Sequence, residues 1–189
     1  MSEMKRRIRL AEEVIAQYPE MGRSKMTDHE GFCFESVCLQ IRKILELVAF
    51  SGMIANGLDY SQKNQDFLAH EKASKIVKNL DRLNKSWFPE HVAIHLAGGQ
   101  IFVEPTASAF NRDLWIEVYD KMGEILHIHN PFAGPPKIHM KKSIPDTLAI
   151  IKRHMQAHRV LLAADRAYVC KLGSRTGRVD VFEGIIPPK

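Results

Sequence analysis

Arg153-His154-Met155-Gln156-Ala157-His158 and Gly123-Glu124-Ile125-Leu126-His127-Ile128-His129-Asn130 hold the side chains that metal-free cleavage of an RNA phosphodiester needs. That reaction takes a base for the 2′-hydroxyl, a cation for the charge that grows on the phosphate, and an acid for the leaving oxygen. Histidine suits the first and last tasks because its ordinary pKa lies near neutrality. Arginine suits the second because it stays charged and grips phosphate with two parallel N–H groups. The spacing therefore marks His127 and His158 as acid–base candidates and Arg153 as a phosphate clamp. On a continuous helix Arg153 and His158 lie about 140° apart, so they meet only if the turn distorts or a second chain completes the site. His129 and Asn130 support the first cluster and, alternatively, line a pocket for a small anion.

Other chemistries find less support. His91/His95 and His154/His158 are each four residues apart, but neither pair carries the glutamate of a helical zinc site. No metal and no cofactor is expected. There is no serine elbow, no Walker loop and no dinucleotide-binding glycine run. Leu172-Gly173-Ser174-Arg175-Thr176-Gly177-Arg178 has the glycines to cradle a phosphate, although a basic hairpin turn explains it as well.

Periodicity says which elements must carry these residues. Met4, Ile8, Ala11, Ile15 and Tyr18 make one stripe of an amphipathic helix over 3–18, stopped by Pro19 and Gly22. Residues 19–33 read as a loop, with Asp28 and Gly31 as breakers. A helix over 34–57 is apolar nearly all round after Val48, as expected at the centre of a bundle. Its notable polar pair, Arg42 and Glu46, shares one face. Further helices are expected over 65–84, 112–128 (N-cap Asn111) and 144–158 (N-cap Ser143). Alternation around Gly98-Gly99 predicts a β-hairpin over 91–104, and short strands are expected over 159–164, 167–172 and 179–182. The fold class read from this order is α+β: a mainly helical antiparallel bundle over 1–158 with an inserted hairpin, and a small β tail over 159–189 appended to the same domain.

The 189 residues are 45% hydrophobic and 26% charged, which excludes a largely disordered chain. No apolar run is long enough to span a bilayer, and the N-terminal segment lacks a signal peptide's apolar stretch. Cys33, Cys38 and Cys170 show no paired spacing and read as free thiols in a reducing cytoplasm. The net charge of +5 is uneven: residues 137–189 hold 11 basic against 4 acidic side chains, a balance of +7, and the rest of the chain balances at −2. Such a quarter favours an anionic partner, nucleic acid first and an acidic protein second. Lys141, Lys142, Arg175 and Arg178 are the expected contacts.

Two stretches carry a family resemblance. Gln40-Ile41-Arg42-Lys43-Ile44-Leu45-Glu46-Leu47, followed by Tyr119-Asp120-Lys121-Met122-Gly123-Glu124-Ile125-Leu126-His127, resembles the HEPN superfamily of small helical bundles, and Arg153 to His158 resembles that superfamily's ribonuclease signature. Lys121 departs from the pattern where an arginine would precede the first histidine. The resemblance implies a metal-independent endoribonuclease of toxin or phage-defence type, working on RNA as a homodimer. Arg42 and Glu46 would then orient the site from the central helix. A non-catalytic binding module is the alternative.

Overall fold

The computed structural model describes residues 2–19, 26–55, 73–98, 100–127, 140–162, 166–173 and 178–185. The first apolar stripe forms α1 (Ser2–Gln17) and buries Met4, Ile8 and Ala11. It packs on α2 (Asp28–Ala55), the central helix, whose buried residues run from Val37 to Met53. α2 starts six residues before the expected Phe34. Thr27 and Glu30 close a capping box: Thr27 Oγ1 accepts from the Glu30 N–H (3.3 Å) and Glu30 Oε2 accepts from the Thr27 N–H (2.8 Å). Asp28 is therefore a first-turn acid and not a breaker, and Gly31 sits inside the helix.

α3 (Ala73–Leu83), α4 (Arg112–Leu126) and α5 (Ile144–Gln156) complete the helices. The first part of the helix expected over 65–84 lies outside the described residues. Asn111 accepts from the Leu114 N–H and Ser143 from the Asp146 N–H, as their sequence contexts require. α3 takes its N-terminal partner from another helix: the Ala73 N–H donates to Asp120 Oδ1 of α4 at 2.9 Å. Among the described residues no helix is long and apolar enough to cross a membrane.

The strands differ from the expected arrangement. β1 (Glu90–Ala97), β2 (Gln100–Pro105), β3 (Ala157–Leu161), β4 (Arg166–Leu172) and β5 (Val179–Ile185) form one antiparallel sheet in the order β2-β1-β3-β4-β5. The protein is α+β, and the expected bundle with a separate hairpin and tail gives way to one sheet that the hairpin strands β1 and β2 share with β3, β4 and β5. Glu90↔Arg159 and His91↔His158 pair β1 with β3, joining hairpin and tail across more than sixty residues of chain. The hairpin turns at Gly98, whose φ of +58° suits glycine. The last helix also ends early. The chain passes from Gln156 of α5 directly into Ala157 of β3 without a glycine or proline to mark the change. His158 is thereby a strand residue.

The core gathers around aromatic rings. Trp115 is fully buried, stacks on Tyr119 with centroids 5.1 Å apart, meets the edge of Trp87 at 5.8 Å, and donates its Nε1–H to the Leu45 carbonyl. α2 passes Trp87 so closely that a Cβ on Gly52 would stand 2.7 Å from the Trp87 carbonyl oxygen. That oxygen is backbone and cannot swing aside. Gly52→Ala is therefore expected to destabilise by about 1–3 kcal/mol through overpacking, despite alanine's better helix propensity. Gly31→Ala, with nothing within 4 Å of its new methyl, is expected to stabilise by about 0.5–1 kcal/mol. Urea unfolding of both variants checks the contrast, and equal signs would contradict the packing assigned to Gly52.

Candidate nucleic-acid interface

The residues expected to cleave RNA are separated. α4 runs antiparallel to α2, since Trp115 meets Leu45 while Tyr119 and Gly123 meet Arg42. His127, the exposed C-cap of α4, thus lies beyond Gly123, toward the N-terminal end of α2. His158 lies at the other end, in the wall of a cavity shared with Leu47 to Ala55. Their separation along α2 is on the order of 15 Å at 1.5 Å per residue. Arg153 is exposed on α5, whereas His158 is 0% exposed. Among the described residues no hydrogen bond or ring contact links His127, Arg153 and His158. His129, Asn130 and Arg175 lie outside the described residues.

The buried histidines have structural partners. His154 Nε2–H donates to the Pro89 carbonyl (2.9 Å), and Nδ1 accepts from the Ser108 hydroxyl (2.8 Å). Only the neutral ring can do both. His91 Nδ1–H turns toward the carbonyls of Ala157 and His154. His158 Nδ1–H donates to the Met155 carbonyl at 3.1 Å. Burial pushes both His154 and His158 down to about 4, so each ring is neutral at pH 7. A buried, neutral imidazole at His158 is remote from any polymer bound at the surface. Among the described residues no three His, Cys, Asp or Glu groups converge to hold a metal.

Arg42 and Glu46 do meet, and they join the two stretches that carry the family resemblance. The Arg42 guanidinium lies 4.5 Å from the Tyr119 ring centroid, donates to the Tyr119 hydroxyl (3.3 Å) and faces Glu46 at 3.6 Å. Gly123 makes room for it: a Cβ there would fall 2.5 Å from Arg42 Nη1. Glu46 also accepts from Lys43 at 2.8 Å. Burial is the main cause that raises the Tyr119 pKa, and the Arg42 charge acts against it. The hollow beside this cluster measures only about 60 Å³, which is too small for a nucleotide. Arg42→Ala is expected to lower stability by about 1–2 kcal/mol, from the lost cation–π contact and the lost packing of the arginine stem. An unchanged urea midpoint would show the cluster to be idle.

Four cations of the basic C-terminal quarter are neutralised in space. Lys141 pairs with Glu117 (2.8 Å), Lys152 with Glu12 (2.5 Å), Arg159 with Glu90 (2.7 Å) and Arg166 with Glu183 (3.0 Å). Three of those carboxylates come from the earlier part of the chain. Lys142, Arg153, Lys171 and Arg178 remain exposed. A furrow of about 590 Å³ between α1, α5 and β4 is also lined by cations. There, however, Arg6 pairs with Glu3, Arg9 with Glu13 and Lys152 with Glu12, while Lys5 donates to the Gly173 carbonyl.

A regular row of unneutralised cations lies elsewhere. Lys75, Lys78, Arg82 and Lys85 follow one another at three- and four-residue steps along α3 and just past it, and all four are exposed. Among the described residues none of them has a carboxylate within ion-pair distance. Lys78, Arg82 and Lys85 border a shallow furrow of about 720 Å³ whose floor includes Val77 and Ile116 and whose far side is Arg112 of α4. The one acid on this lining, Asp81, is already bound to Arg112 and to the Trp87 indole N–H. Three of the four acids of α4 are engaged too, Glu117 with Lys141, Asp120 with the α3 N-terminus and Glu124 with Lys121, while Asp113 stands exposed beside Arg112. The helical spacing of Lys75, Lys78 and Arg82 was the sequence signal for this face; a charge sum over long blocks of chain averages it away.

Comparison with protein-family models, with curated proteins and with solved structures finds no match to this chain.

Proposed function

We propose that the protein is an RNA-binding module that holds the phosphate backbone in the basic furrow between α3 and α4. The observation that carries this is the row of exposed cations at Lys78, Arg82 and Lys85, unpaired among the described residues and facing Arg112 across an apolar floor. Cations one helical turn apart can meet successive phosphates, and the floor offers an apolar seat for sugar and base faces. Among the described residues its lining holds no aromatic ring and no free amide, so recognition is of charge and shape, with little base identity. The HEPN resemblance favours RNA as the polymer, the cytoplasm as the compartment and a homodimer as the working form. Binding is favoured over cleavage because the histidine that cleavage would need at 158 is buried and neutral.

Fluorescence anisotropy with a labelled single-stranded RNA in EDTA tests the proposal. Three to four phosphate contacts predict a log–log salt slope of about −2 to −3, with the RNA recovered intact. Affinity that does not respond to salt, or no affinity at low salt, would overturn it.

A further inference from the structure

β2 is one edge of the sheet. β1 pairs with β3 only at Glu90 and His91, so from Val92 onward β1 and β2 run as a two-stranded arm. Exposure rises toward its tip: Val92 is buried, Ile94 and Val103 are half-buried, and Leu96, Ile101 and Phe102 are 76%, 51% and 48% exposed. The register fixes which backbone groups face outward. The Thr106 N–H donates to the His91 carbonyl. By the alternation of an antiparallel pair, Glu104, Phe102 and Gln100 then turn their N–H and C=O groups to β1, whereas Ile101 and Val103 turn theirs away. Natural edges discourage partners with lysines, bulges or a covering loop. β2 has no lysine or arginine, and its register with β1 is unbroken. Among the described residues no hydrogen bond or ion pair occupies the side chains of Gln100 and Glu104.

Gln100-Ile101-Phe102-Val103-Glu104 has nearly the same pattern read from either end: polar, aliphatic, aromatic, aliphatic, polar. We propose that β2 pairs antiparallel with β2 of a second copy about a two-fold axis at Phe102, joining the two sheets edge to edge. In that register Ile101 of each copy exchanges both backbone hydrogen bonds with Val103 of the other. The two Phe102 rings meet at the axis, in the kind of pair that brings side chains closest. Each Glu104 carboxylate stands opposite a Gln100 amide, which can donate to it, and not opposite its own copy. A centre at Ile101 or Val103 would instead set a polar side chain against Phe102. This gives the homodimer of the proposed reading its interface and rests on that part of the reading alone, not on RNA.

Sedimentation velocity of the full chain without RNA tests it. The wild type should pass reversibly from monomer to dimer as concentration rises. Ile101→Pro deletes an outward N–H that β1 does not use, and should weaken the dimer at least about tenfold with an unchanged circular-dichroism spectrum. Gln100 is exposed and reads the register without touching the core. Gln100→Lys puts an ammonium opposite each Glu104 and should tighten the dimer about two- to tenfold, although it adds to a net charge that is already +5. Gln100→Glu sets carboxylates opposite one another and should weaken the dimer by a similar factor, although it lowers the net charge. Simple repulsion between whole chains would give the opposite order. Should Ile101→Pro not fold, the Gln100 pair still decides. Equal or reversed Gln100 variants, or an undiminished dimer in Ile101→Pro, would overturn the β2 interface and leave the homodimer standing. A chain that stays monomeric at every concentration would overturn both, while RNA binding is judged separately by the anisotropy titration.

Discussion

Reversing Lys78, Arg82 and Lys85 to glutamate together is expected to weaken single-stranded RNA binding about a hundredfold at roughly 0.1 M salt. Each lost phosphate contact removes about 0.7 from the log–log salt slope, so three contacts remove about 2, which is about two decades of affinity between 1 M and 0.1 M. Repulsion by the new carboxylates adds to the loss. The fold should be indifferent, because all three side chains are exposed and unpaired among the described residues. Arg112 is a poor substitute target, since removing it would leave the half-buried Asp81 without its cation. Reversal of Lys141, Lys142 and Arg178 should weaken binding by no more than one contact's worth, about fivefold. If that C-terminal triple abolished binding while the α3 triple did not, the interface would lie where the linear charge distribution first placed it.

The second large effect is a loss of stability in mild acid. His154 and His158 each have a folded-state pKa near 4 against 6.5 in the unfolded chain, in both cases chiefly because of burial. Between those values the unfolded state binds more protons, so lowering the pH favours unfolding. The contribution is complete above about pH 6.5 and is lost as the pH falls toward 4. From pH 7 to pH 5 each ring is expected to remove about 2 kcal/mol of unfolding free energy. His154 and His91 both act on the His158 charge, so the effects of His154 and His158 should not add completely. His158→Phe should flatten the profile by about 2 kcal/mol across the same range. Urea midpoints that stay constant from pH 7 to pH 5 would show that these rings are not held neutral by the fold.

What could be read from residues alone follows a physical division between local and non-local causes. α1, α4 and α5 announce themselves, because a 3.6-residue apolar stripe and a capping Asn111 or Ser143 act within a few residues. The early start of α2 was equally local: Thr27 and Glu30 are a capping box in plain sequence, obscured by Asp28 and Gly31, which look like breakers. The union of hairpin and tail was not legible, since the pairing of His91 with His158 depends on two distant segments meeting. The same limit hid part of the charge pairing. Glu12, Glu90 and Glu117 precede the basic quarter in sequence yet sit on its lysines and arginine in space. Arg153 and His158 share a short motif, but the helix ends between them, and the motif's geometry ends with it.

The most direct measurement is a map of the RNA contact on the protein, by amide chemical-shift changes as a short single-stranded RNA is added. The account predicts changes concentrated over residues 75–85 and around Arg112 to Ile116, reversing as salt is raised. Changes confined to residues 141–178, or none at RNA concentrations that saturate the protein, would contradict it.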